Sequence, residues 1–319
     1  MKMKAIVIHR PGGPEVLRFE DVPVPEMADG QLLIRVCAVS VNHLDMLMAS
    51  PGSSGRFGTP FPWIPGFDFA GVVENAASGI SVFRVGDKVF GNCPGGSYAE
   101  YVAVSPETVV RKPETLDFNA AASVPHVAET AWQAVHKHGR VKAGQKVLIH
   151  GAAGAVGAFA VQFARLAGAR VHASVAGQDM DYVRGLGADV VIDYQTTDFT
   201  AVAKDMDLVI VLVGGNTQEI SYSVLKRGGR LVSTTGPALR DMARAHGVTA
   251  VSMVIGQSGE DLARIAELID AGKVRTDVAA VYALKDAMMG WELLAGTDPE
   301  VGSITRGKIV LEIRKEETV

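Results

Sequence analysis

The fold is decided by the stretch Gly144–Arg165, GQKVLIHGAAGAVGAFAVQFAR. Its apolar run at 146–150 predicts a short strand, and the apolar residues from 156 to 166 recur at helical spacing. Glycines at 151, 154 and 157 let the backbone between them turn sharply and approach a ligand closely. N–H groups at the start of a helix lie at the positive end of its dipole, which suits a pyrophosphate. The stretch therefore predicts a dinucleotide site in a βαβ unit.

The motif departs from GxGxxG at its first position, where Ala152 stands before Gly154 and Gly157. A turn of this composition often binds nothing, so the motif alone is a weak signal. Its context favours the functional interpretation, because a second strand at 170–175 follows at the spacing that a βαβ unit requires. We expect the methyl groups of Ala152 and Ala155 to leave the turn open to backbone N–H contacts.

Strands and helices alternate strictly after this stretch. Apolar strands are predicted at 146–150, 170–175, 189–193, 207–213, 229–234 and 249–254. Helical crossovers between parallel strands predict an α/β fold with a doubly wound Rossmann sheet. Later segments predict helices at 262–271 and 284–294 and a final strand at 307–313.

The amino-terminal part has a different periodicity. A hairpin at 4–9 and 16–20 and further short strands with glycine turns predict a β-rich domain. A short helix is predicted at 42–49, with Asn42 capping it. Periodicity changes near residue 117, where helices at 119–123 and 128–135 are predicted. We therefore expect a β-rich domain at 1–122, completed by 273–319, and a Rossmann domain at 123–272.

Composition excludes several classes of protein. A chain of 319 residues suits two domains, and a net charge of −4 without a basic stripe argues against nucleic acid or membrane partners. Two cysteines, Cys37 and Cys93, cannot form a disulfide framework or a four-cysteine zinc lobe. The sequence has no run of about 18 apolar residues, and its start predicts a strand rather than a signal peptide. A cytoplasmic location is therefore expected.

An ordered set of motifs resembles the medium-chain dehydrogenase/reductase superfamily, in its zinc-free quinone oxidoreductase (zeta-crystallin-like) branch. The motifs are SVNHLD at 40–45, PGFDFAGVV at 65–73, VGDKVFG at 85–91, GSYAEYVAV at 96–104, HGAAGAVG at 150–157, LKRGGRLVSTTG at 225–236 and RGKIVLEI at 306–313. Each motif is common by itself, but their order across nearly the whole chain is specific. The resemblance implies that the β-rich domain is a GroES-like catalytic domain.

The resemblance also implies that a catalytic zinc is absent. The alcohol dehydrogenase branch holds zinc with Cys, His and Cys, and the matching positions here are Asn42, Phe67 and His126. Asparagine is a poor zinc ligand and phenylalanine has no donor atom. Without zinc, the expected chemistry is hydride delivery to a carbon that is already electrophilic, in a quinone or an α,β-unsaturated carbonyl.

Individual roles follow from the same resemblance. Asn42 is expected near the nicotinamide as a donor to the substrate oxygen, and Asp45 is expected to hold its loop or simply to place charge at a helix end. His126 is a candidate general acid, with a packing role as the alternative. Many relatives carry a tyrosine where this chain has Leu47, so that phenolic donor is missing. The expected cofactor contacts are Asn42, Thr130, Gly154, Ala155, Val156, Ser174, Gln178, Tyr194, Val213, Gly214, Thr235, Gly236, Val254, Ile255 and Arg306.

Cofactor choice is decided at the end of the second Rossmann strand, where residues 173–178 are ASVAGQ. The absence of an acid at this tip disfavours the usual NAD mode. Relatives often carry Ser and Lys in place of Ala176 and Gln178, so a 2′-phosphate would lose a cation here and would depend on Ser174, Gln178 and Tyr194. NADPH is the expected cofactor, and NADH is the alternative.

Three functions remain open at this point. The leading one is NADPH-dependent reduction of small quinones or α,β-unsaturated carbonyls. The alternatives are a reductase of one specific biosynthetic enoyl substrate and a non-catalytic nicotinamide-binding sensor. The loops at 46–63 and 236–260 are expected to select the substrate. A homodimer is expected through the apolar edge strand at 248–255.

Overall fold

The structure is a computed structural model that describes residues 1–52, 58–297 and 304–314. The strands are β1 (Lys2–Ile8), β2 (Leu17–Pro23), β3 (Leu32–Ser40), β4 (Asp68–Ala76), β5 (Lys88–Asn92), β6 (Tyr101–Val104), β7 (Val109–Arg111), β8 (Lys146–His150), β9 (Arg170–Val175), β10 (Val190–Asp193), β11 (Met206–Val211), β12 (Leu225–Ser233), β13 (Thr249–Ser252), β14 (Val278–Ala283) and β15 (Lys308–Glu312).

Helices occupy shorter parts of the chain. They are α1 (His43–Ala49), α2 (Phe118–Ala122), α3 (Pro125–Trp132), α4 (Ala155–Leu166), α5 (Met180–Gly185), α6 (Phe199–Val202), α7 (Thr217–Ser221), α8 (Arg240–His246), α9 (Gly259–Asp270) and α10 (Ala287–Ala295). A π-helical turn at Gln133–His138 continues α3.

The chain forms two compact units, Met1–His126 with Gln257–Val319 and Val127–Gly256. The sequence placed 123–272 in the second domain, whereas the structure places α9 in the first unit. Asp270 of α9 accepts hydrogen bonds from the backbone N–H and the hydroxyl of Thr115. These local contacts attach the helix to the β-rich unit, although its position in the alternating pattern suggested otherwise.

The first unit contains an antiparallel hairpin and a seven-stranded sheet. β1 pairs with β2 along its whole length, which confirms the predicted hairpin. The larger sheet has the order β14-β15-β3-β4-β5-β7, and β6 also pairs with β3. β15 lies antiparallel to β3, so the closing strand returns to this unit as predicted. The core beneath the sheet includes the fully buried side chains of Leu32, Phe69, Tyr98 and Trp291.

The second unit is a parallel sheet with the order β10-β9-β8-β11-β12-β13, which confirms the Rossmann prediction. Val147, Leu148 and Ile149 of β8 are fully buried, as expected for a central strand covered on both faces. The order of the strands reverses between β8 and β11. In doubly wound sheets, ligands bind beside such a switch point at the carboxyl edge.

None of the helices in the described ranges combines the length and the apolar composition needed to cross a bilayer.

Candidate active site

The glycine-rich turn joins β8 to α4 at the carboxyl edge of the parallel sheet. Gly151 has a positive φ of 74°, and a Cβ built on it would lie 2.8 Å from Val213 Cγ1. A Cβ at Gly157 would overlap the Gly151 carbonyl oxygen and would lie 2.6 Å from Ala152 Cα. Glycine is required at 151 because of its positive φ, and at 157 because the helix and the turn approach each other backbone to backbone there.

The first turn of α4 presents backbone N–H groups. Gly154 is the residue before the helix, and Ala155 and Val156 are its first two residues. N–H groups in a first helical turn have no acceptor within the helix, and these three residues are partly exposed. The methyl group of Ala152 is fully buried. The Gly154 N–H donates to the Gly151 carbonyl oxygen at 3.1 Å, within the turn. The turn therefore fits a pyrophosphate through the N–H groups of Ala155 and Val156, since its glycines keep side chains out of the approach.

The loops after the neighbouring strands reach the same edge of the sheet. Thr235, two residues after β12, donates from Oγ1 to the Val213 carbonyl oxygen at 3.0 Å. Val213 follows β11 and also borders Gly151. The structure thus places the predicted contact Val213 beside Gly151 of the glycine-rich turn and joins a second one, Thr235, to Val213.

The remaining predicted contacts of this unit lie at or beyond the ends of their strands. Ser174 is buried, because it lies within β9, whereas the others are exposed or partly exposed. Tyr194, which follows β10, is 59% exposed, and Val254 is 88% exposed. Gln178 and Gly214 are also exposed beyond the ends of their strands, and Gly236 and Ile255 are partly buried.

Gln133, which the sequence did not single out, fixes one of these loops. Its side-chain amide donates to the Gly256 carbonyl (Nε2···O 2.6 Å) and accepts from the Gly256 N–H (N···Oε1 3.1 Å). Gln133 is buried at the start of the π-helical turn, and the predicted contact Thr130 is buried one turn earlier. The paired bonds hold the backbone immediately after Val254 and Ile255.

Asn42 lies in the first unit, where its side chain belongs to a buried polar network. It precedes α1, and its backbone N–H donates to Asp45 Oδ2 at 2.8 Å. Its side-chain Nδ2 donates to Asp68 Oδ2 at 2.8 Å, and its Oδ1 accepts from Lys308 Nζ at 2.6 Å. Among the residues that the structure describes, the second Nδ2 proton has only a long contact, with the Ser40 carbonyl oxygen at 3.5 Å. These partners fix which way the amide points.

Asp68 and Lys308 are the charged members of this network, and both are buried. Asp68 Oδ2 accepts from Ser40 Oγ at 2.6 Å, and Asp68 Oδ1 accepts from the His126 backbone N–H at 2.8 Å. Lys308 Nζ donates to the Val41 carbonyl at 2.7 Å and lies 3.9 Å from Asp68 Oδ2. Burial lowers the pKa of Lys308, and the nearby carboxylates oppose that shift. A buried charge is tolerated when it is paired and hydrogen-bonded in this way.

Asp45 is fully buried, and three donors converge on it. Besides the Asn42 N–H, the Gly66 N–H donates to Oδ1 at 2.9 Å and the Tyr98 hydroxyl donates to Oδ2 at 3.1 Å. Trp291 Nε1 in turn donates to Tyr98 Oη at 3.4 Å. Burial raises the pKa of Asp45 to about 7, although the backbone donors favour the ionised form. Through these bonds the buried carboxylate joins Asn42 to Gly66 and Tyr98.

Asp45 makes the stability of the protein depend on pH. Its folded-state pKa lies above its unfolded value of 3.8, so the folded state binds the extra proton at intermediate pH. The resulting stability is fully present below the unfolded value and is lost as pH rises to about 7. We expect the free energy of unfolding of the wild type, relative to Asp45→Asn, to fall by roughly 2 kcal/mol between about pH 5 and about pH 8.

Urea unfolding at both pH values checks this expectation. Asp181→Asn, which changes a side chain that is 97% exposed, is the control and should unfold with the pH dependence of the wild type. A difference between the wild type and Asp45→Asn that stays constant with pH would contradict the prediction.

His126 and Phe67 lie side by side in the first unit, with ring centroids 6.2 Å apart. The ring centroids of Trp63 and Phe67 are 6.3 Å apart. Burial lowers the pKa of the His126 imidazole; the Asp68 carboxylate opposes this shift and the Lys308 ammonium adds to it. The imidazole is therefore neutral near physiological pH, which makes it a weaker proton donor than an imidazolium would be.

The residues at the expected ligand positions do not fit a zinc ion. Phe67 offers no donor atom, and the amide of Asn42 is engaged by Asp68 and by the ammonium group of Lys308. Neither cysteine replaces them, since both are buried and burial raises the pKa of the Cys93 thiol to about 12. Within residues 1–52, 58–297 and 304–314, no cluster of three or more His, Cys, Asp or Glu side chains could hold a metal ion.

Leu47 and Arg306 both lie in the first unit. Leu47, at the position where relatives carry a tyrosine, is 40% exposed on α1. Arg306 lies in the first unit, exposed two residues before β15. Of the loop at 46–63, residues 53–57 lie outside the described residues.

Comparisons with known proteins agree with this architecture. The alcohol dehydrogenase GroES-like domain matches residues 28–114, and the zinc-binding dehydrogenase domain matches residues 186–311. The NADPH-dependent alkenal/one oxidoreductase of Arabidopsis thaliana chloroplasts is 31% identical over 86% of this chain and 71% of its own length. The quinone oxidoreductase of Coxiella burnetii is 34% identical, with a TM-score of 0.89 over 98% of this chain and 100% of that one. The chain belongs to the quinone oxidoreductase branch of the medium-chain dehydrogenase/reductase superfamily.

A third relative carries a cofactor. The quinone oxidoreductase of Escherichia coli, solved as a complex with NADPH, has a TM-score of 0.86 and 25% identity over 97% of this chain and 99% of its own. Membership of this branch also explains why a domain named for zinc binding matches a chain whose residues do not fit zinc.

Proposed function

We propose that this protein reduces quinones or α,β-unsaturated carbonyl compounds with NADPH, by hydride transfer that does not use zinc. The observation that carries the proposal is the chemistry of the residues that the family resemblance matches to zinc ligands: Phe67 has no donor atom, and the amide of Asn42 is bonded to Asp68 and Lys308. Support also comes from relatives named as quinone oxidoreductases and an alkenal/one oxidoreductase.

The second unit is proposed to bind the cofactor. The N–H groups of Ala155 and Val156 would hold the pyrophosphate, since the first turn of α4 leaves them without acceptors in the helix, and Gly154 would border it. The backbone after Val254 and Ile255, which Gln133 holds through Gly256, would position the nicotinamide. When bound, the reduced nicotinamide supplies the hydride.

The first unit is proposed to bind the oxygen of the substrate. Asn42 would donate through the Nδ2 proton that has only the 3.5 Å contact with Ser40. Asp68 and Lys308 would keep that amide in one orientation, so the donor is in place before the substrate arrives. Negative charge that reaches the substrate carbon is delocalised onto the same oxygen, where this donor stabilises it.

The proton that completes the reduction is proposed to come from water. Leu47 cannot donate one, and the Tyr98 hydroxyl is buried against Asp45. His126 is neutral near physiological pH, because burial lowers its pKa. Its proposed role is to border the substrate beside Phe67.

A homodimer and a cytoplasmic location complete the proposal. β13 lies at the end of the parallel sheet, where one edge of its backbone is available to a second copy of the chain. Light scattering coupled to size exclusion would give the mass of the particle. A monomer at micromolar concentration would contradict the dimer and would leave the proposed reaction unaffected.

Cofactor binding and turnover test the proposed function in sequence. At about 100 times its Kd, NADPH should add about 2.7 kcal/mol to the free energy of unfolding. A panel of quinones, enals and enones should then oxidise NADPH, and prior treatment with a metal chelator should not change the rate. Binding without turnover across the panel would favour a nicotinamide sensor. Loss of activity with the chelator would contradict the zinc-free chemistry.

A further inference from the structure

The tip of β9 carries an acidic group that comes from the neighbouring strand. Gly177 follows β9 by two residues, and it lies 20 residues after Gly157, where Rossmann sites that bind NAD place an Asp or Glu. A Cβ built on Gly177 would lie 2.9 Å from Oδ2 of Asp193, the last residue of β10. The Asp193 carboxylate thus occupies the space into which a side chain at position 177 would project.

Local hydrogen bonds hold that carboxylate in place. Asp193 Oδ1 accepts from the Gln195 N–H at 3.0 Å, and Oδ2 accepts from Thr196 Oγ1 at 3.1 Å. β9 and β10 are paired with Asp193 opposite Val175, and the Tyr194 N–H donates to the Val175 carbonyl at 3.1 Å. Each carboxylate oxygen can accept two hydrogen bonds, so both retain capacity for a ligand hydroxyl.

Positive charge is scarce in the segments around this tip. Residues 173–183 and 190–203 contain no Lys or Arg, whereas they contain Asp179, Asp181, Asp193 and Asp198. Arg184, which follows the first segment, is paired with Asp181 at 2.6 Å. A 2′-phosphate at this place would meet a carboxylate without a cation from either segment, and a ribose 2′-hydroxyl would meet a hydrogen-bond acceptor.

We infer that Asp193 is a specificity-determining residue of the cofactor site, an inference that rests on the proposed function. Its carboxylate accepts the 2′-hydroxyl of an adenosine ribose and repels a 2′-phosphate. Asp193 therefore reduces the preference for NADPH over NADH, so that NADH is a second hydride donor. Asp193 reaches this position from β10, so it performs from one strand away the task that NAD sites give to the tip of the second strand.

Binding of two nucleotide fragments to the full chain tests this role without turnover. The probes are adenosine 2′,5′-bisphosphate and adenosine 5′-monophosphate, measured by calorimetry on the wild type and on Asp193→Asn. The asparagine can keep the bond from the Gln195 N–H, so the local fold should persist. Removing one charge a few ångströms from a phosphate should improve the affinity for the bisphosphate, relative to the monophosphate, by about tenfold.

Asp181→Asn is the matched control, because it removes the same charge from a side chain that is 97% exposed. Asp181→Asn should leave the ratio of the affinities for the bisphosphate and the monophosphate unchanged. The ratio of kcat/KM with NADPH to kcat/KM with NADH should rise only in Asp193→Asn. An unchanged ratio in Asp193→Asn, or an equal rise in both variants, would overturn the role of Asp193 while leaving the proposed reaction intact. Failure of both fragments and both cofactors to bind would overturn the proposed function as well.

Discussion

Asp68→Ala is expected to lower the free energy of unfolding by about 3–5 kcal/mol. The carboxylate accepts from Ser40, Asn42 and the His126 N–H, and it faces the buried ammonium of Lys308. Its removal leaves three donors unsatisfied and one buried charge without its acidic partner. Urea unfolding at neutral pH measures the loss, and any folded fraction should have a lower kcat because Asn42 loses its fixed orientation.

A double variant and a surface pair serve as controls for this prediction. Removing both charges, with Asp68→Ala and Lys308→Met together, should restore part of the lost stability, because no unpaired charge is then buried. Glu74→Ala, which breaks an exposed pair with Arg35 at 3.2 Å, should cost no more than about 1 kcal/mol. A loss in Asp68→Ala as small as that in Glu74→Ala would show that the buried network does not hold this unit together.

Gly157→Ala is expected to weaken NADPH binding by at least about tenfold and to cost about 1–3 kcal/mol of stability. The new Cβ would overlap the Gly151 carbonyl oxygen and press on Ala152 Cα, both of which are backbone atoms. The turn must therefore move away from the helix, and the N–H groups that are proposed to bind the pyrophosphate move with it. Fluorescence titration with NADPH and urea unfolding measure the two effects.

Gly154→Ala provides the matched control from the same turn. A Cβ there would lie 3.4 Å from the Gly151 carbonyl oxygen, its closest neighbour, and the backbone has an ordinary φ of −64°. This variant should fold as stably as the wild type, so any loss of NADPH affinity would report on the approach of the ligand alone. Equal losses of stability in the two variants would contradict the packing requirement assigned to Gly157.

The Rossmann sheet could be predicted from the sequence because its signal is local. The strand, turn and helix between Gly144 and Arg165 occupy one short stretch, and apolar strands then recur at regular intervals. The predicted ends of two strands were too late: β11 ends at Val211 and β13 at Ser252, whereas 213 and 254 had been expected. Val213 and Val254 are apolar, but they lie in exposed loops at the carboxyl edge. Composition alone could not separate them from the strands.

The buried network could not be predicted, because its members are far apart in the chain. Lys308 and Asn42 are 266 positions apart, and Asp68 and Asn42 are 26 apart. The available signal was one acid in the apolar run PGFDFAGVV and one lysine in the apolar run GKIVLEI. Isolated charges of opposite sign in two buried strands indicate a pair, but only the antiparallel contact of β15 with β3 brings Lys308 to the end of the strand that precedes Asn42.

The position of Asp193 at the proposed cofactor site could not be predicted from the sequence either. The linear motif directs attention to the tip of β9, where residues 173–178 contain no acid. The acid comes from β10, and the pairing of the two strands places it against Gly177. The position of a charge in space, rather than its place in the motif, decides what the ribose would meet.

The path of the hydride tests the central claim most directly. NADPH carrying deuterium at the transferable position of its nicotinamide would be incubated with an α,β-unsaturated ketone in ordinary water after chelator treatment, and the product examined by NMR. Zinc-free reduction predicts a saturated ketone with one deuterium on the β-carbon and a solvent proton on the α-carbon. Deuterium on the carbinol carbon of an unsaturated alcohol, or a product without deuterium, would contradict it.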